Sequence, residues 1–311
     1  MKIVIAGGSG FLGPPLAGAL ASEGHEIVNL SRRAAPAGAG TRSRAVAWTP
    51  DGSTGAWAAE IDGAGAVVNL AGESIAGKRW TAAQKRRILE SRVQATRSLV
   101  TAILAAKTPP AVFVSGSAVG FYGPRGDEKI PEETPAGSDF LADVCVQWEA
   151  EAQRAKPATR LVLMRTGLVL ARDGGALPQM LPPFRFGAGG PVGSGRQYWP
   201  WIHRADWVAL VQWAVRTTSV AGPTNGTAPN PVTNAEFARA LGRAMHRPAF
   251  MPAPAFALKL LLGEMAESLL LSGQRAVPER AEQLGFTFRY RTVDEALGAL
   301  FNTPRASAAR R

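Results

Sequence analysis

Cysteine and histidine are scarce in this chain of 311 residues, which contains one cysteine, Cys145, and three histidines. A single cysteine excludes a disulfide framework and a zinc site built from several cysteines. The histidines lie far apart, and none belongs to the His-Glu-x-x-His pattern of a helix-borne zinc site. The sequence therefore predicts no metal centre.

Long apolar runs are also missing. The best candidate, residues 256–271, is interrupted by Lys259, Glu264 and Glu267 and is too short to cross a bilayer. The chain begins directly with a strand-like segment, so we expect no signal peptide, a cytoplasmic location and no membrane partner. Hydrophobic residues make up 46% of the chain and charged residues 19%, which excludes an intrinsically disordered protein.

Basic residues outnumber acidic residues by 35 to 24, which gives a formal net charge of +11. Such an excess can serve nucleic-acid binding. The basic residues are scattered, however, and the cluster Lys85, Arg86 and Arg87 lies in a helical pattern without interleaved aromatic residues. We therefore expect a solvated basic surface and a small-molecule partner, with no nucleic-acid partner.

Strand and helix patterns alternate along the first part of the chain. Short apolar segments predict strands at residues 2–6, 26–30, 66–70 and 111–114 and within 160–170. Helical patterns lie between them, from residue 13 to about 24, at 81–106 and at 140–154. This alternation predicts an α/β fold of the Rossmann type, a doubly wound parallel sheet with right-handed crossovers.

The composition changes after residue 171. We assign residues 1–171 to an NAD(P)-binding Rossmann domain, whose core strands can continue to about residue 230. Residues 172–302 are predicted to form substrate-cleft loops and a smaller, mostly helical C-terminal domain, with loops in the Gly- and Pro-rich stretch 174–195. Helices are predicted at 234–245, 252–271 and 292–301. We expect residues 303–311 to be a disordered tail.

A glycine triplet follows the first predicted strand and opens the first helix. Gly7 suits a tight turn, Gly10 allows the backbone to approach a pyrophosphate, and Gly13 permits close packing of the helix. The helix N-terminus then presents N–H groups and a favourable dipole to the phosphates. This arrangement predicts a dinucleotide site, with a glycine-rich loop that binds no ligand as the alternative.

The end of the second strand indicates which dinucleotide binds. An NAD-preferring site carries Asp or Glu here to hold the ribose hydroxyls, whereas this chain has Asn-Leu-Ser-Arg-Arg at 29–33. Ser31, Arg32 and Arg33 can bind a 2′-phosphate that a carboxylate would repel. The sequence therefore favours NADP(H), with two solvated arginines on an exposed turn as the alternative.

Several longer segments resemble a known family. They are GGSGFLG at 7–13, NLAGESIAGKRW at 69–80, ESRVQATRSL at 90–99, SGSAVGFYG at 115–123 and GGALPQMLPPFRFGAGGPVGSGRQ at 174–197. On these segments the chain resembles the extended short-chain dehydrogenase/reductases, and within them the atypical, epimerase-like branch of the SDR39U or YfcH type. Residues 252–300 resemble the small DUF1731-like domain that closes those proteins.

The resemblance implies a set of cofactor contacts. The residues implied are Gly7, Gly10, Phe11, Leu12 and Gly13 at the pyrophosphate, Ser31, Arg32 and Arg33 at the 2′-phosphate, Leu70, Ala71 and Gly72 at the adenine-ribose side, and Arg92, Ser115 and Val169 further along the site. Arg92 stands where extended members commonly carry an Asn that reaches the cofactor. Val169 is implied to lie against the nicotinamide.

The same resemblance implies a catalytic Ser with a Tyr-x-x-x-Lys pair, in which Lys lowers the pKa of Tyr. This chain has Phe140 and Val144 at the positions of that pair. Ser117 is the candidate for the serine, and Tyr122, at the expected mouth of the cleft, is the candidate acid. The alternative for Tyr122 is a packing residue whose hydroxyl bonds to the backbone.

Weaker candidates lie in the second half of the chain. His203 and Asp206 follow a predicted strand and can contact substrate, or Asp206 can cap a helix beside a structural histidine. Arg196 and Gln197, in the Gly- and Pro-rich stretch, can bind an anionic group of a substrate.

Two functions from different classes follow from these patterns. The first is an NADP(H)-binding, epimerase-like oxidoreductase without the usual Tyr-x-x-x-Lys pair, acting on a small polar, anionic or sugar-like molecule. The second is a non-catalytic NADPH-binding sensor or regulatory protein, which the loss of that pair favours. The sequence defines neither the substrate nor the oligomeric state.

Overall fold

The computed structural model describes residues 1–32 and 42–302 of the chain. The strands, in chain order, are β1 (Lys2–Ala6), β2 (Glu26–Ser31), β3 (Ser43–Ala47), β4 (Ala66–Asn69), β5 (Val112–Ala118), β6 (Lys129–Ile130), β7 (Arg160–Thr166), β8 (Leu168–Leu170), β9 (Tyr198–Trp199), β10 (Trp201–His203), β11 (Gly222–Gly226), β12 (Val232–Thr233) and β13 (Arg275–Ala276).

The α-helices are α1 (Gly13–Ser22), α2 (Ala82–Ala105), α3 (Phe140–Gln153), α4 (Leu177–Arg185), α5 (Arg204–Arg216), α6 (Asn234–Met245), α7 (Ala255–Leu262), α8 (Glu264–Ala266), α9 (Glu279–Gln283) and α10 (Val293–Asn302). Two short 3₁₀ turns span Ala56–Glu60 and Val119–Tyr122, and one π turn, Glu267–Leu271, continues α8.

A seven-stranded sheet forms the centre of the molecule. Its strand order is β11-β7-β5-β4-β1-β2-β3, and every neighbouring pair in it runs parallel. This is the doubly wound order, in which the chain reverses direction across the sheet between β1 and β4. The predicted α/β fold of the Rossmann type, with a mostly helical C-terminal region, is confirmed.

The strands are apolar on both faces because helices cover both faces. In β1, Ile3 and Ile5 pack with α1 and α5 on one side, while Val4 and Ala6 pack with α2 and α3 on the other. A third core, in the second half of the chain, joins β9 and β10 to α4, α6 and α10. Contact between Phe11, which follows β1, and Gly174 brings the carboxyl edge of the sheet next to this second half.

Three segments differ from the sequence prediction. The stretch predicted as loops contains α4, because Leu177, Leu181 and Phe184 recur at helical spacing and are buried, although two prolines lie inside the helix. The helix predicted at 252–271 is broken at Gly263, which has φ = +64°. The edge strand β3 was missed because its side chains are only half-buried and show no strong apolar pattern.

The last strand of the sheet, β11, was also missed. Its sequence Gly-Pro-Thr-Asn-Gly is typical of a turn, and it forms a strand at the edge of the sheet, where Pro is tolerated. Residues 303–311, predicted as a disordered tail, lie outside the described residues. In the part of the chain that the structure describes, no helix combines the length and apolar character needed to span a membrane.

Candidate functional site

The glycine turn joins β1 to α1 at the carboxyl edge of the sheet. Gly7 has φ = +76°, which residues with a side chain rarely adopt. A Cβ at Gly7 would lie 2.7 Å from the carbonyl carbon of Leu70, and one at Gly13 would lie 2.2 Å from the oxygen of Gly8. A Cβ at Gly10 would meet only the Gly7 oxygen, at 3.3 Å. The turn is therefore packed tightly on one side and open at Gly10, as a phosphate-binding turn requires.

Helix α1 begins without a side-chain cap. Leu12 occupies the N-cap position, and Pro14 and Pro15 fill the first turn, where a missing N–H costs little. Because no side chain caps the helix, its positive end remains available to an anion.

The ring of Phe11 connects the glycine turn to the second half of the chain. A Cβ at Gly174 would lie 2.5 Å from this ring, and one at Gly175 would lie 2.8 Å from it. The Arg204 guanidinium lies 5.5 Å from the ring centre and binds Asp173 through hydrogen bonds of 2.6 and 2.9 Å. The segment after β8 thus closes against the turn because its glycines leave room for Phe11.

The end of β4 lies directly beside Gly7. The Ala71 N–H donates to Asn69 Oδ1 at 3.1 Å, and Asn69 Nδ2 donates to Thr96 Oγ1 at 2.9 Å. Asn69 is fully buried, so these bonds hold the backbone after the strand in place. Leu70 and Ala71, implied to line the adenine-ribose side, therefore meet the glycine turn at one edge.

Arg92 lies on α2 behind Gly72. Its Nη1 donates to the main-chain oxygens of Glu73 and Ile88, each at 3.0 Å. Its guanidinium lies 5.3 Å from the centre of the Trp148 ring, and a Cβ at Gly72 would come within 3.2 Å of it. Burial lowers the pKa of Arg92 below its ordinary value, but an arginine stays charged. The structure thus brings a fixed positive charge to this edge of the sheet.

The end of β2 lies next to the glycine turn, because Ala6 pairs with Leu30. Ser31 is half-buried there, and Arg32, which follows it, is exposed. Neither position carries a carboxylate. Arg33 lies outside the described residues, so its contact with a 2′-phosphate stays a prediction from the sequence.

Strand β5 carries two serines into the interior. Ser115 is fully buried, and Ser117, which is 4% exposed, donates its hydroxyl proton to Glu149 Oε1 at 2.6 Å. Glu149 in turn accepts two hydrogen bonds of 2.8 Å from Arg165, and this ion pair is buried. Because its proton points to Glu149, Ser117 can offer a ligand only its oxygen lone pairs.

Tyr122 lies in the interior and not at the mouth of a cleft. Its side chain is fully buried; its hydroxyl donates to Asn225 Oδ1 at 2.7 Å and accepts from Arg165 Nη1 at 3.0 Å. Burial raises its pKa to about 12. This geometry disagrees with the prediction of a proton donor and favours the packing alternative, although the hydroxyl binds side chains and not the backbone.

Phe140 and Val144 stand on α3 at the positions implied for the Tyr–Lys pair. The Phe140 ring meets the Trp80 ring edge-to-face at 5.1 Å, and Lys85 Nζ lies 4.5 Å from the Phe140 ring centre. Val144 is buried in an apolar cluster that includes Trp80 and Met265. Neither side chain can hold or transfer a proton, so this part of the site differs from the usual chemistry.

Val169 lies at the junction between the sheet and the second half. It pairs with Ile202 of β10 and is buried, and a Cβ at Gly175 would lie 3.4 Å from its oxygen. The structure thus places Val169 beside the segment that contacts Phe11, although the contact with nicotinamide stays a prediction.

His203 and Asp206 have structural partners. His203 Nδ1 accepts the Ala205 N–H at 3.1 Å and so caps α5, which makes the prediction of an Asp206 cap wrong. Asp206 instead accepts the N–H groups of Arg289 and Tyr290 at 3.0 and 2.9 Å. Its carboxylate therefore attaches the C-terminal segment to α5.

The ion pair of Arg165 and Glu149 was not predicted from the sequence, and neither was a role for Trp148, which precedes Glu149. One signal was available, since Arg165 interrupts the apolar strand Arg-Leu-Val-Leu-Met-Arg-Thr, and buried charges are almost always paired. The partner of Arg165 could not be predicted from the sequence, because Glu149 occupies what looks like an ordinary surface position of an amphipathic helix.

Together, the doubly wound sheet, the uncapped helix and the glycine turn define a dinucleotide-binding fold of the Rossmann type. Residues 3–225 match the model of the NAD dependent epimerase/dehydratase family, and residues 253–300 match a domain of unknown function, DUF1731. The chain belongs to the NAD dependent epimerase/dehydratase family. The resemblance inferred from the sequence is thereby confirmed.

Individual relatives agree with this assignment. The chain is 41% identical over 302 residues to the chloroplastic epimerase family protein SDR39U1 homolog of Arabidopsis thaliana, covering 96% of this chain and 86% of that protein. The crystal structure of human epimerase family protein SDR39U1 with NADPH superposes with a TM-score of 0.89 at 35% identity, over 98% of this chain and 100% of that one.

A more distant structure shows the fold alone. MoeE5 in complex with UDP-glucose and NAD matches with a TM-score of 0.76 at 18% identity, over 97% of this chain and 98% of that one. At this distance the architecture is shared, and the ligands are properties of that protein.

The geometry predicts that Tyr122 serves stability and not cofactor binding. Changing Tyr122→Phe leaves Asn225 and Arg165 each without one buried hydrogen-bond partner, which should lower the free energy of unfolding by about 1–3 kcal/mol. Urea denaturation measures this loss. Tyr198→Phe is the control, because Tyr198 is only half-buried and its ring lies 5.0 Å from the Arg275 guanidinium, a contact that Phe keeps, so its loss should be much smaller. Equal losses in the two variants would contradict the buried network.

His203 should make stability depend on pH. Burial, assisted by Arg204 and Arg289, lowers its pKa from 6.5 to about 4. Between these values the unfolded chain takes up a proton that the folded chain does not, so stability should fall as pH drops from 6.5 to 4, by at most about 1.4 kcal/mol per pH unit. His203→Asn keeps a capping side chain without a titrating group, and its stability should fall less steeply over this range. Parallel curves of unfolding free energy against pH for the wild-type chain and His203→Asn would contradict the assignment of this pH dependence to His203.

Proposed function

We propose that the chain is an NADP(H)-dependent, epimerase-like oxidoreductase that acts on a small molecule. The observation that carries this proposal is the juxtaposition of the glycine turn, the uncapped start of α1 and a β2 end without a carboxylate. The NADPH-bound structure of the human relative supports it. A cytoplasmic location and the absence of nucleic-acid and membrane partners stay predictions from the sequence.

The residues present fit a dinucleotide carrying a 2′-phosphate. Side chains at Gly7 or Gly13 would collide with backbone, whereas Gly10 leaves the pyrophosphate side open. Arg32 adds positive charge where an NAD-preferring site carries a carboxylate. Gly8, in the same turn, also has no room for a side chain, because a Cβ there would lie 2.1 Å from Asn29 Oδ1. This oxygen is buried and has no hydrogen-bond partner among the described residues.

Each part of the site would have a distinct task. When bound, NADPH supplies a hydride. Leu70, Ala71 and Gly72 would line the adenine-ribose side, Arg92 would add a fixed cation, and Val169 would support the nicotinamide end. Ser117 would accept a hydrogen bond from a substrate hydroxyl, since its own proton is held by Glu149. Phe140 and Val144 cannot supply a proton. The proton that accompanies the hydride would therefore come from solvent.

A second candidate is a non-catalytic NADPH-binding regulator. Phe140 and Val144 favour it, because apolar side chains replace the acid and the cation of the usual reaction. Oxidation of bound NADPH by a panel of carbonyl and quinone compounds distinguishes the two functions. The enzyme predicts turnover with at least one class of compound, with a rate that falls in Ser117→Ala. Tight NADPH binding without turnover across the panel would favour the regulator.

Arg32 should set the preference for NADPH over NADH. Arg32→Asp replaces an attractive charge with a repulsive one, so we expect NADPH affinity to fall at least tenfold, the equivalent of about 1.4 kcal/mol, with NADH affinity changed much less. Cofactor fluorescence titration measures both values.

Arg42→Asp provides the matched control. Arg42 is also exposed, and it precedes β3 at the opposite, amino-terminal edge of the same strands. The same change of charge there should leave the cofactor preference intact. A loss of NADPH affinity that is equal in both variants would mean that net charge, and not a local phosphate contact, sets the preference.

A further inference from the structure

The side chain of Gln84 is buried without a hydrogen-bond partner. Gln84 lies in the first turn of α2 and is 1% exposed. Its main-chain N–H donates to Thr81 Oγ1 at 3.2 Å, but neither Nε2 nor Oε1 of its amide has a partner among the described residues. Among the buried side chains of residues 1–32 and 42–302, it is the only amide whose nitrogen and oxygen are both left in this state.

Such an amide is rare in a folded protein. Buried donors and acceptors are almost always paired, because an unpaired polar group loses its contacts with water and gains nothing in return. An apolar side chain of similar shape would fill the same space without the desolvation cost of the amide. The unpaired amide therefore points to a ligand that supplies both missing bonds.

Gln84 lies one helical turn before an apolar cluster that includes the altered part of the site. Ile88, one helical turn further along α2 and on the same face, packs in the cluster that contains Val144 and Trp80, with Phe140 at its edge. This is the place where the family resemblance implies a Tyr and a Lys. Phe140 and Val144 stand there instead, with the Lys85 ammonium against the Phe140 ring and the neutral Gln84 amide one helical turn before Ile88.

The C-terminal domain covers this cluster. Leu262 of α7, Met265 of α8 and Leu269 of the π turn pack onto it. A π turn is uncommon and is often found at functional sites. Gly263, with φ = +64°, separates α7 from α8, so the cover consists of two short pieces joined at a glycine.

One exposed ion pair fastens this cover to α2. Lys85, next to Gln84, donates to Glu264 at 2.7 and 3.0 Å, and both side chains are partly exposed. A pair exposed in this way contributes little stability, so the cover is held mainly by the apolar packing of Leu262, Met265 and Leu269. Because the two charges satisfy each other, this pair adds no net charge to the interface.

We propose that the interface of α2, α3 and the segment 262–269 is a substrate compartment in its closed state. Its ligand would be a neutral, aromatic or otherwise apolar molecule with a carboxamide or lactam group. The carbonyl of that group accepts a hydrogen bond from Gln84 Nε2, and its N–H donates to Gln84 Oε1. This inference rests on the proposed function, since it names the substrate class of the same site, and it disfavours an anionic or sugar-phosphate group at this end.

The test uses benzamide as the probe and N,N-dimethylbenzamide as its match without N–H donors. Each is titrated into the full chain saturated with NADPH, while the side-chain ¹⁵N–¹H signals of glutamine are recorded. The signal of Gln84 is assigned by its loss in Gln84→Met. We expect benzamide to shift this signal saturably at millimolar concentration and to bind at least threefold more tightly than the dimethyl compound. In Gln84→Met this preference should disappear.

Absence of a saturable shift of the Gln84 signal, or equal affinity of the wild-type chain for both probes, would overturn the proposal. Should Gln84→Met fail to fold, the comparison of the two probes on the wild-type chain still decides. NADPH fluorescence is measured separately, so a chain that binds NADPH but shows no amide preference refutes the compartment alone. A chain that does not bind NADPH refutes the proposed function.

Discussion

Close approach of backbone to backbone at the glycine turn is the constraint on which the site depends. Gly7 and Gly13 leave no room for a Cβ, so β1, the end of β4 and the start of α1 come within van der Waals distance at one edge of the sheet. The same edge receives Phe11, which is held by the glycines after β8 and by Arg204. A parallel sheet opens its binding crevice at this edge because the chain order reverses there.

A buried ionic network joins Ser117, the candidate serine, to the strand and the helix around it. Arg165 binds Glu149, Tyr122 and the main-chain oxygen of Glu132, so one guanidinium connects β7 with α3 and with the segment after β5. Removing one partner of a buried pair commonly costs about 3–5 kcal/mol, because the other charge is then left uncompensated. The network therefore stabilises the strand ends, and it holds the hydroxyl proton of Ser117 toward Glu149.

The fold was predictable from the sequence because apolar periodicity reports burial directly. β1, β2 and α2 were predicted to within one or two residues, since their buried positions recur at strand or helix spacing. Edge strands such as β11 escaped prediction, because their pairing depends on a neighbour and not on their own apolar content. The glycine turn was readable because its residue types follow from backbone geometry. The buried position of Tyr122 was not predictable, because its partners Asn225 and Arg165 come from distant segments of the chain.

Binding of the NADPH diphosphate by the glycine turn and the start of α1 is the proposal on which the other roles depend. Hydrogen exchange of the backbone amides of residues 8–12, measured by NMR with and without saturating NADPH, tests it most directly. The Gly10 N–H already donates to the Gly7 oxygen at 3.0 Å, so slower exchange is expected at the amides of Phe11 and Leu12 when the cofactor binds. Unchanged exchange at these amides in a chain that demonstrably binds NADPH would contradict it.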